Sequence, residues 1–354
     1  MTERWILRKG SKERGFRYVD ERGRPVRDDA VRTRIEALRI PPAWTDVHVA
    51  PSARAAVQAW GFDSKGRKQY RYHLEAVEQG SLRKHYRVRQ LALDLPLIRE
   101  AIGRDFDGSS RARSKARRLT RQRVTAGVVR LISEGFFRVG NERYAKENKT
   151  FGITTLLKRH VRVDGDCIVF NYVGKKSIEQ RQVVVDASLA AFVGELSETP
   201  GRRLFRYRDE GGGWQDLTAR DVNGYLHELV GVPYTAKDFR TWGGTLRAAT
   251  VLAELGQPKS ATEAKRNVNT AVRLVAAELG NTPTICRKSY IHPMVLARYE
   301  DDGVTIAADL ARARRERRKG DWRHAPEEKA LIKFLDKYFP ERRKRRRSAE
   351  ERAA

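Results

Sequence analysis

The sequence predicts an α+β protein, in which a small β-rich N-terminal domain precedes a mainly α-helical domain that contains a β-hairpin. Three observations predict this class. Short alternating segments separated by turn residues occupy residues 1–79, whereas apolar residues recur at helical spacing from about residue 80. Two β-branched, alternating segments then interrupt the helical region between residues 167 and 186. We expect domains at 1–79 and 80–311, followed by a basic tail at 312–354 that is largely disordered.

The N-terminal segments favour strands around one helix. GFRYVDERGRPV predicts two short strands around a turn that contains Gly23, and DDAVRTRIEALRI predicts a helix that ends before Pro41. GRKQYRYH, at 66–73, alternates as a strand does. Its two sides would carry Arg67, Gln69 and Arg71 on one face and Lys68, Tyr70 and Tyr72 on the other.

The next region predicts helices. SLRKHYRVRQLALDLPLIREAI favours a helix in which Pro96 is the candidate break, and the basic, serine-containing residues 109–119 read as a linker. A second helix follows from apolar residues at helical spacing, namely Val124, Val128, Leu131, Ile132 and Phe136. In the tail, PEEKALIKFLDKYF is the one candidate helix.

The remaining elements are a hairpin and three helices. CIVFNYVGKKSIEQRQVVVD predicts a β-hairpin with its turn near 175–179. Thr235 and Asp238 form the pattern of a capping box at the start of the next helix. Its apolar stripe would be Phe239, Trp242, Leu246, Ala249 and Leu252, and the following helix would use Val268, Val272, Val275 and Leu279 before stopping at Gly280. Thr282 and Pro283 then start a short turn of helix about two turns before Tyr290.

Charge is the strongest coarse signal. Lys and Arg number 73 against 45 Asp and Glu, a formal net charge of +28 at pH 7. This balance favours a polyanionic partner, most often nucleic acid, although a solvated basic surface or anionic lipid is the alternative. We expect no membrane span or signal peptide, and the two cysteines favour a reduced, cytoplasmic setting in association with the nucleoid.

Several kinds of chemistry have no motif in this chain. It contains no GxxxxGK[ST] loop for ATP, no HExxH and no Cys/His zinc spacing. DFDGSS and EDDG are better explained as acidic surface turns than as metal sites. We therefore expect no cofactor and no metal ion.

Four polar residues lie at positions where the packing of an apolar core does not explain them. Arg138 follows an apolar helix end, Lys175 lies at the hairpin tip, Arg240 lies beside an apolar stripe, and Tyr290 follows the short helix. Each also has a structural explanation: Arg138 as a helix cap, Lys175 as a solvated turn residue, Arg240 as the partner of Asp238 or another carboxylate, and Tyr290 as a half-buried aromatic.

Taken together, these segments resemble a known family. FFRVGNERYAKENKTFGITTL, VGKKS, AKDFRTW and GNTPTICRKSY look like the four active-site blocks of type IB DNA topoisomerases of the small viral and bacterial kind. IPPAWTDVHV and GRKQYRYH resemble that family's N-terminal domain. The resemblance implies two catalytic arginines, a catalytic lysine and a tyrosine nucleophile, which are Arg138, Arg240, Lys175 and Tyr290. It implies DNA contacts near the cleavage site for Arg67, Gln69, Tyr70, Tyr72 and Tyr144.

One position departs from the family pattern. Where most members have a histidine nine residues before the nucleophile, this chain has Asn281. An asparagine side chain can donate a hydrogen bond to a phosphate oxygen but cannot carry positive charge. We keep Asn281 as the fifth catalytic position.

The resemblance implies double-stranded DNA as the partner and relaxation of its supercoils through a 3′-phosphotyrosyl intermediate, without ATP. We also expect a monomer. A tyrosine recombinase would use the same chemistry, but this chain has AKDFRTW where recombinases usually show His-x-x-Arg. An architectural DNA-binding protein would explain the charge but not the ordered blocks.

Overall fold

The structure is a computed structural model, and it describes residues 4–110, 119–317 and 323–340. The chain divides into two compact units, residues 1–85 and residues 86–354. This division falls within one long helix, as does the boundary predicted at residue 79.

The first unit is an antiparallel sheet with one helix against it. The sheet order is β2-β1-β3-β4-β5, and the strands are β1 (Ile6–Ser11), β2 (Gly15–Val19), β3 (Thr45–Val49), β4 (Val57–Phe62) and β5 (Lys68–Tyr72). Helix α1 (Asp29–Ala37) begins at Asp28, whose carboxylate accepts hydrogen bonds from the backbone of Ala30 and Val31. Its Ile35 is buried against Val47 and Val49 of the sheet.

Two predictions for this unit have different outcomes. β5 alternates as expected, with Gln69 and Arg71 partly buried and Lys68, Tyr70 and Tyr72 exposed. The second strand predicted after Gly23 is wrong, because its pairing is reduced to a single bridge between Val19 and Pro25. Proline has no backbone N–H to continue a ladder of hydrogen bonds.

The second unit is mainly helical. Its helices are α2 (Leu74–Ser110, which begins in the first unit), α3 (Arg121–Gly135), α4 (Glu142–Asn148), α5 (Ala187–Ser197), α6 (Ala219–Val230), α7 (Ala236–Leu255), α8 (Ala261–Leu279), α9 (Pro283–Ser289), α10 (Pro293–Asp302), α11 (Ala307–Glu316) and α12 (Pro326–Tyr338). One continuous apolar core joins these helices, apart from α4. The α+β class is confirmed, and so are the helices predicted from the 124–136, 235–255 and 268–279 patterns.

Two small sheets complete the second unit. β6 (Val161–Asp164), β7 (Cys167–Val173) and β8 (Glu179–Val185) form an antiparallel sheet in that order, and β9 (Arg206–Arg208) pairs with β10 (Trp214–Asp216). β7 and β8 are the predicted hairpin, with Val173 opposite Glu179. The third strand, β6, was not predicted.

Helix α2 passes through Pro96 without a break, so the predicted break is wrong. A proline inside a helix leaves the carbonyl four residues earlier without its usual donor. That carbonyl belongs to Ala92, and the His324 ring Nε2 donates to it across 2.8 Å. A side chain from far along the sequence therefore replaces the hydrogen bond that Pro96 cannot make. The linker predicted at 109–119 lies mostly outside the described residues.

The C-terminal region is more ordered than the sequence predicted. The helix predicted within 326–339 is confirmed as α12, and its Leu331, Phe334 and Leu335 are buried in the core of the second unit. The predicted boundary at 311 falls inside α11. The expectation of disorder is wrong for 312–316, which form the end of α11, while 318–322 and 341–354 lie outside the described residues.

In the described ranges, none of the helices combines the length and the apolar composition that crossing a bilayer would take.

Candidate active site

The end of helix α3 positions Arg138. The helix ends at Phe136, whose φ of 51° lies in the left-handed region, and the next residue, Phe137, is buried against Phe170. Gly243 of α7 lies under the Phe136 ring, where an added Cβ would stand 1.9 Å from a ring carbon. This close packing fixes the chain direction just before Arg138.

Three oxygen atoms hold the Arg138 guanidinium. Its Nη1 donates to Gln180 Oε1 at 3.1 Å, and its Nη2 donates to the Gly280 carbonyl and to Asn281 Oδ1, both at 2.9 Å. All three acceptors are neutral. Arg138 is therefore oriented by its partners while its positive charge remains uncompensated by them.

Arg240 is a buried cation on the second turn of α7. Only 2% of its surface is exposed, and it donates to the backbone carbonyls of Phe136 and Leu279. It does not pair with Asp238, which instead accepts from Arg87 and from Thr235 at the helix start. Burial lowers the pKa of the Arg240 guanidinium, and the Arg138 charge acts in the same direction. A buried guanidinium whose partners are neutral carbonyls is poised to attract an anion.

Tyr290 closes the short helix α9 as expected from its start signal. Thr282 caps this helix, Pro283 is its first residue, and the Tyr290 N–H donates to the Cys286 carbonyl at 2.9 Å. The Tyr290 backbone lies so close to α7 that a Cβ on Gly244 would be 2.8 Å from its carbonyl oxygen. The Arg240 guanidinium carbon lies 5.0 Å from the centre of the Tyr290 ring.

Lys175 is exposed in the turn between β7 and β8. The turn is tight, because Lys176 and Ser177 have φ values of 65° and 57° and Gly174 donates its N–H to the Ile178 carbonyl at 2.8 Å. The backbone that carries the long side chain of Lys175 therefore has a defined geometry.

All five predicted catalytic residues line one cavity of about 530 Å³. They are Arg138, Lys175, Arg240, Asn281 and Tyr290. Lys176 and Lys237 also line it, which brings its basic residues to five, and no acidic residue lies among the described residues that line it. A cavity with this lining suits a phosphate group, with a tyrosine hydroxyl beside it.

No group of three or more His, Cys, Asp or Glu side chains within the described parts of the chain is arranged to hold a metal ion.

Comparison with known proteins identifies the family. The model of the catalytic core of eukaryotic DNA topoisomerase I matches residues 68–317, and that of the N-terminal domain of bacterial DNA topoisomerase IB matches residues 15–63. The chain belongs to the type IB DNA topoisomerase family. The core match includes all five predicted catalytic residues and ends before α12 begins.

Viral topoisomerases are among the relatives. The DNA topoisomerase 1B of Acanthamoeba polyphaga mimivirus is 33% identical over 276 residues, which cover 76% of this chain and 80% of the relative. The DNA topoisomerase 1B of vaccinia virus (strain Copenhagen) is 24% identical over 287 residues, covering 78% and 85%. The resemblance inferred from the sequence blocks is thereby confirmed.

The residues expected to contact DNA occupy two places in this topoisomerase. Four lie on or beside β5 of the first unit, where the Tyr70 and Tyr72 rings stack with centroids 5.7 Å apart. The other two residues, Arg67 and Gln69, donate hydrogen bonds to the carboxylate of Asp63, at 2.8 Å and 3.0 Å respectively. The Arg67 hydrogen bond comes first among the causes that lower the pKa of Asp63 to about 2. Tyr144 is 44% exposed on α4 and does not line the active-site cavity.

Sequence reasoning missed several residues of this site. Gln180 binds Arg138, and Lys176, Lys237 and Asn223 line the cavity, but none was singled out beforehand. One signal for Gln180 was available. In β8 the residues Gln180, Gln182 and Val184 share the buried side, so a glutamine on the apolar side of an alternating strand should have attracted attention.

Proposed function

We propose that this type IB topoisomerase relaxes supercoiled duplex DNA by cutting one strand with the Tyr290 hydroxyl and later resealing it. The observation that carries the proposal is the convergence of Arg138, Lys175, Arg240, Asn281 and Tyr290 on one basic cavity. One chain supplies all five side chains, so we expect the enzyme to act as a monomer.

Cleavage would be a transesterification. The Tyr290 oxygen attacks the phosphorus, the bond from phosphorus to the 5′ oxygen breaks, and a 3′-phosphotyrosyl ester forms. The phenolic proton is lost to solvent or a base, and the departing 5′ oxygen gains a proton. Resealing is the reverse reaction. One phosphoester replaces another, so the bond energy is retained and ATP is not required. While the strand is open, the free 5′ end rotates and releases supercoils.

The side chains would divide the work by their chemistry. A tyrosine hydroxyl in water has a pKa near 10, so about one molecule in a thousand is ionised at pH 7. That deficit corresponds to about 4 kcal/mol, which the site must offset. Arg138 and Arg240 would bind the non-bridging oxygens and stabilise the charge that develops in the transition state. Lys175 can give up a proton, so it is our candidate for the general acid at the 5′ oxygen.

DNA binding would draw on both units. Arg67, Gln69, Tyr70 and Tyr72 would contact the duplex from the first unit, and Tyr144 from the second. Asn281 would donate through its amide to a phosphate oxygen, since a neutral amide can still form that bond.

The test is relaxation of a supercoiled plasmid with EDTA present and ATP absent, using the parent enzyme and Tyr290→Phe. We expect the parent to relax the plasmid and Tyr290→Phe to lose activity while still binding DNA, because affinity comes from many distributed charges. Residual relaxation by Tyr290→Phe above about a thousandth of the parent rate would reject Tyr290 as the nucleophile.

A further inference from the structure

Gln180 occupies a slot between the lysine-bearing hairpin and the end of helix α8. Its side chain is 4% exposed. Its Nε2 donates to the Glu179 carbonyl at 3.0 Å, which leaves Oε1 to accept from Arg138 Nη1 at 3.1 Å. The amide thus has a fixed orientation, with its acceptor toward Arg138.

Two glycines make room for this side chain. A Cβ on Gly174, at the start of the hairpin turn, would lie 2.6 Å from Gln180 Cγ. A Cβ on Gly280 would lie 2.1 Å from Gln180 Oε1, and Gly280 also has a φ of 57°. These two glycines flank the turn of Lys175 on one side and Asn281 on the other. Gln180 itself does not line the cavity, but it packs directly behind the cavity residues Gly280 and Arg138.

Gln180 and Asn281 hold Arg138 in the same way. Each offers a carboxamide oxygen to one terminal nitrogen of the guanidinium. A carboxylate at either place would hold the guanidinium equally well but would cancel much of its charge at close range. A carboxamide orients the cation and leaves that charge available to a phosphate oxygen.

We infer that Gln180 is a positioning residue that orients Arg138 toward the scissile phosphate without neutralising it. This inference rests on the proposed function and deepens it, since neither the sequence blocks nor the family comparison assigns a role to Gln180. The competing explanation is that Gln180 only satisfies backbone carbonyls and fills space in the sheet.

The experiment measures single-turnover cleavage of a duplex oligonucleotide with excess enzyme, for Gln180→Leu, Gln180→Glu and Arg138→Ala. Gln182→Leu is the matched control, because Gln182 lies two residues along the same strand, faces the same side and is 7% exposed. We expect Gln180→Leu to slow cleavage about tenfold or more, which is the effect of losing a hydrogen bond to a charged group. Gln182→Leu should cleave at the parent rate.

Two readouts separate positioning from packing. First, Gln180→Leu should add little to Arg138→Ala, because both act on one interaction. Second, a methylphosphonate at the scissile position removes one negative charge from the substrate. The loss of cleavage rate relative to the parent should then become smaller in both Arg138→Ala and Gln180→Leu. Gln180→Glu preserves shape and acceptor geometry, yet it should also cleave slowly because its carboxylate offsets the Arg138 charge.

A packing role predicts different results, and any of them would overturn the inference. They are a parent-like rate for Gln180→Glu, a loss in Gln180→Leu that is equal on both substrates, and additivity with Arg138→Ala. Melting temperatures identify variants that fail to fold, and Gln180→Glu then provides the decisive comparison. If Gln180→Leu cleaves at the parent rate while Tyr290→Phe is inactive, only the inference about Gln180 is rejected. If Tyr290→Phe is active, the proposed function itself is rejected.

Discussion

Lys175 is the one member of the proposed catalytic set that lies exposed at the tip of a hairpin turn. If it protonates the 5′ oxygen, Lys175→Ala should slow cleavage by about a hundredfold or more, the range that general acids contribute. A substrate with sulfur at the 5′ bridging position should restore much of the rate, because a thiolate leaves without a proton.

The neighbouring lysine supplies the control for this prediction. Lys176 lies in the same turn and lines the same cavity, so Lys176→Ala removes the same charge one residue away. Lys176→Ala should lose less cleavage rate than Lys175→Ala, and its loss should be equal on the oxygen and sulfur substrates. Equal losses for Lys175→Ala on oxygen and sulfur substrates would show that Lys175 only binds phosphate.

The side-chain amide of Asn281 makes two contacts in the structure. Its Oδ1 accepts from Arg138, while its Nδ2 lies 3.3 Å from the Leu279 carbonyl at the end of α8. We expect Asn281→Ala to slow cleavage about tenfold, since a neutral hydrogen bond contributes about 0.5–1.5 kcal/mol. A lower melting temperature with unchanged cleavage would instead leave Asn281 as a helix cap only.

Replacement by the family's usual histidine gives a pH signature. Asn281→His should be active, and its rate relative to the parent should rise as pH falls, because protonation gives the ring a charge that attracts phosphate. Arg138 lies beside this position and disfavours a second cation, so the rise should occur below the ordinary histidine pKa of about 6.5. Measurement of both rates from about pH 5 to 8 tests this, and a flat ratio would contradict it.

Helix α12 packs into the apolar core of the second unit, although the family-model match ends at residue 317. Beyond it, the Phe339 ring lies edge-on to His292, with centroids 4.6 Å apart, and His292 follows Tyr290 by two residues. The C-terminal segment therefore packs against the chain that carries the proposed nucleophile.

Leu331→Ala tests this packing. Leu331 is fully buried in α12, so its truncation should lower the free energy of unfolding by about 2–5 kcal/mol. Cleavage should also slow if α12 steadies the Tyr290 segment. Lys337→Ala, on the exposed part of the same helix, should change stability by less than about 0.5 kcal/mol. An unchanged melting temperature for Leu331→Ala would show that α12 does not belong to the folded core.

Local patterns predicted the helices around the site because each has its own signals, such as the Thr282–Pro283 start and the Gly280 stop. Interactions between distant residues were not predictable in this way. Helix α2 continues through Pro96, and the Ala92 carbonyl accepts its hydrogen bond from His324, 232 residues away in the sequence. The basic composition of the tail hid the packing of α12, which was predicted as a helix but not as part of the core that its Ala330, Leu331, Phe334 and Leu335 join. The five proposed catalytic positions were identified from the family blocks, whereas the contact of Gln180 with Arg138 became visible only in the packed hairpin.

For the whole molecule, the net charge of +28 predicts binding that weakens steeply with salt. Residues 341–354 contain seven Lys and Arg against three Asp and Glu. Deleting them should lower affinity for DNA and reduce the slope of log affinity against log salt by about one for each phosphate that the shortened protein no longer neutralises. Cleavage at saturating enzyme should be unchanged, because the five proposed catalytic residues lie elsewhere in the chain. Slower cleavage at saturation would indicate that this segment acts in the chemistry.

Identification of the covalent intermediate shows whether Tyr290 attacks DNA in the basic cavity. Enzyme is trapped on a duplex oligonucleotide, the DNA and protein are digested, and mass spectrometry identifies the residue that carries the nucleotide remnant. We expect a remnant joined through its 3′ phosphate to Tyr290. A remnant on any other residue, or one joined through a 5′ phosphate, would contradict it.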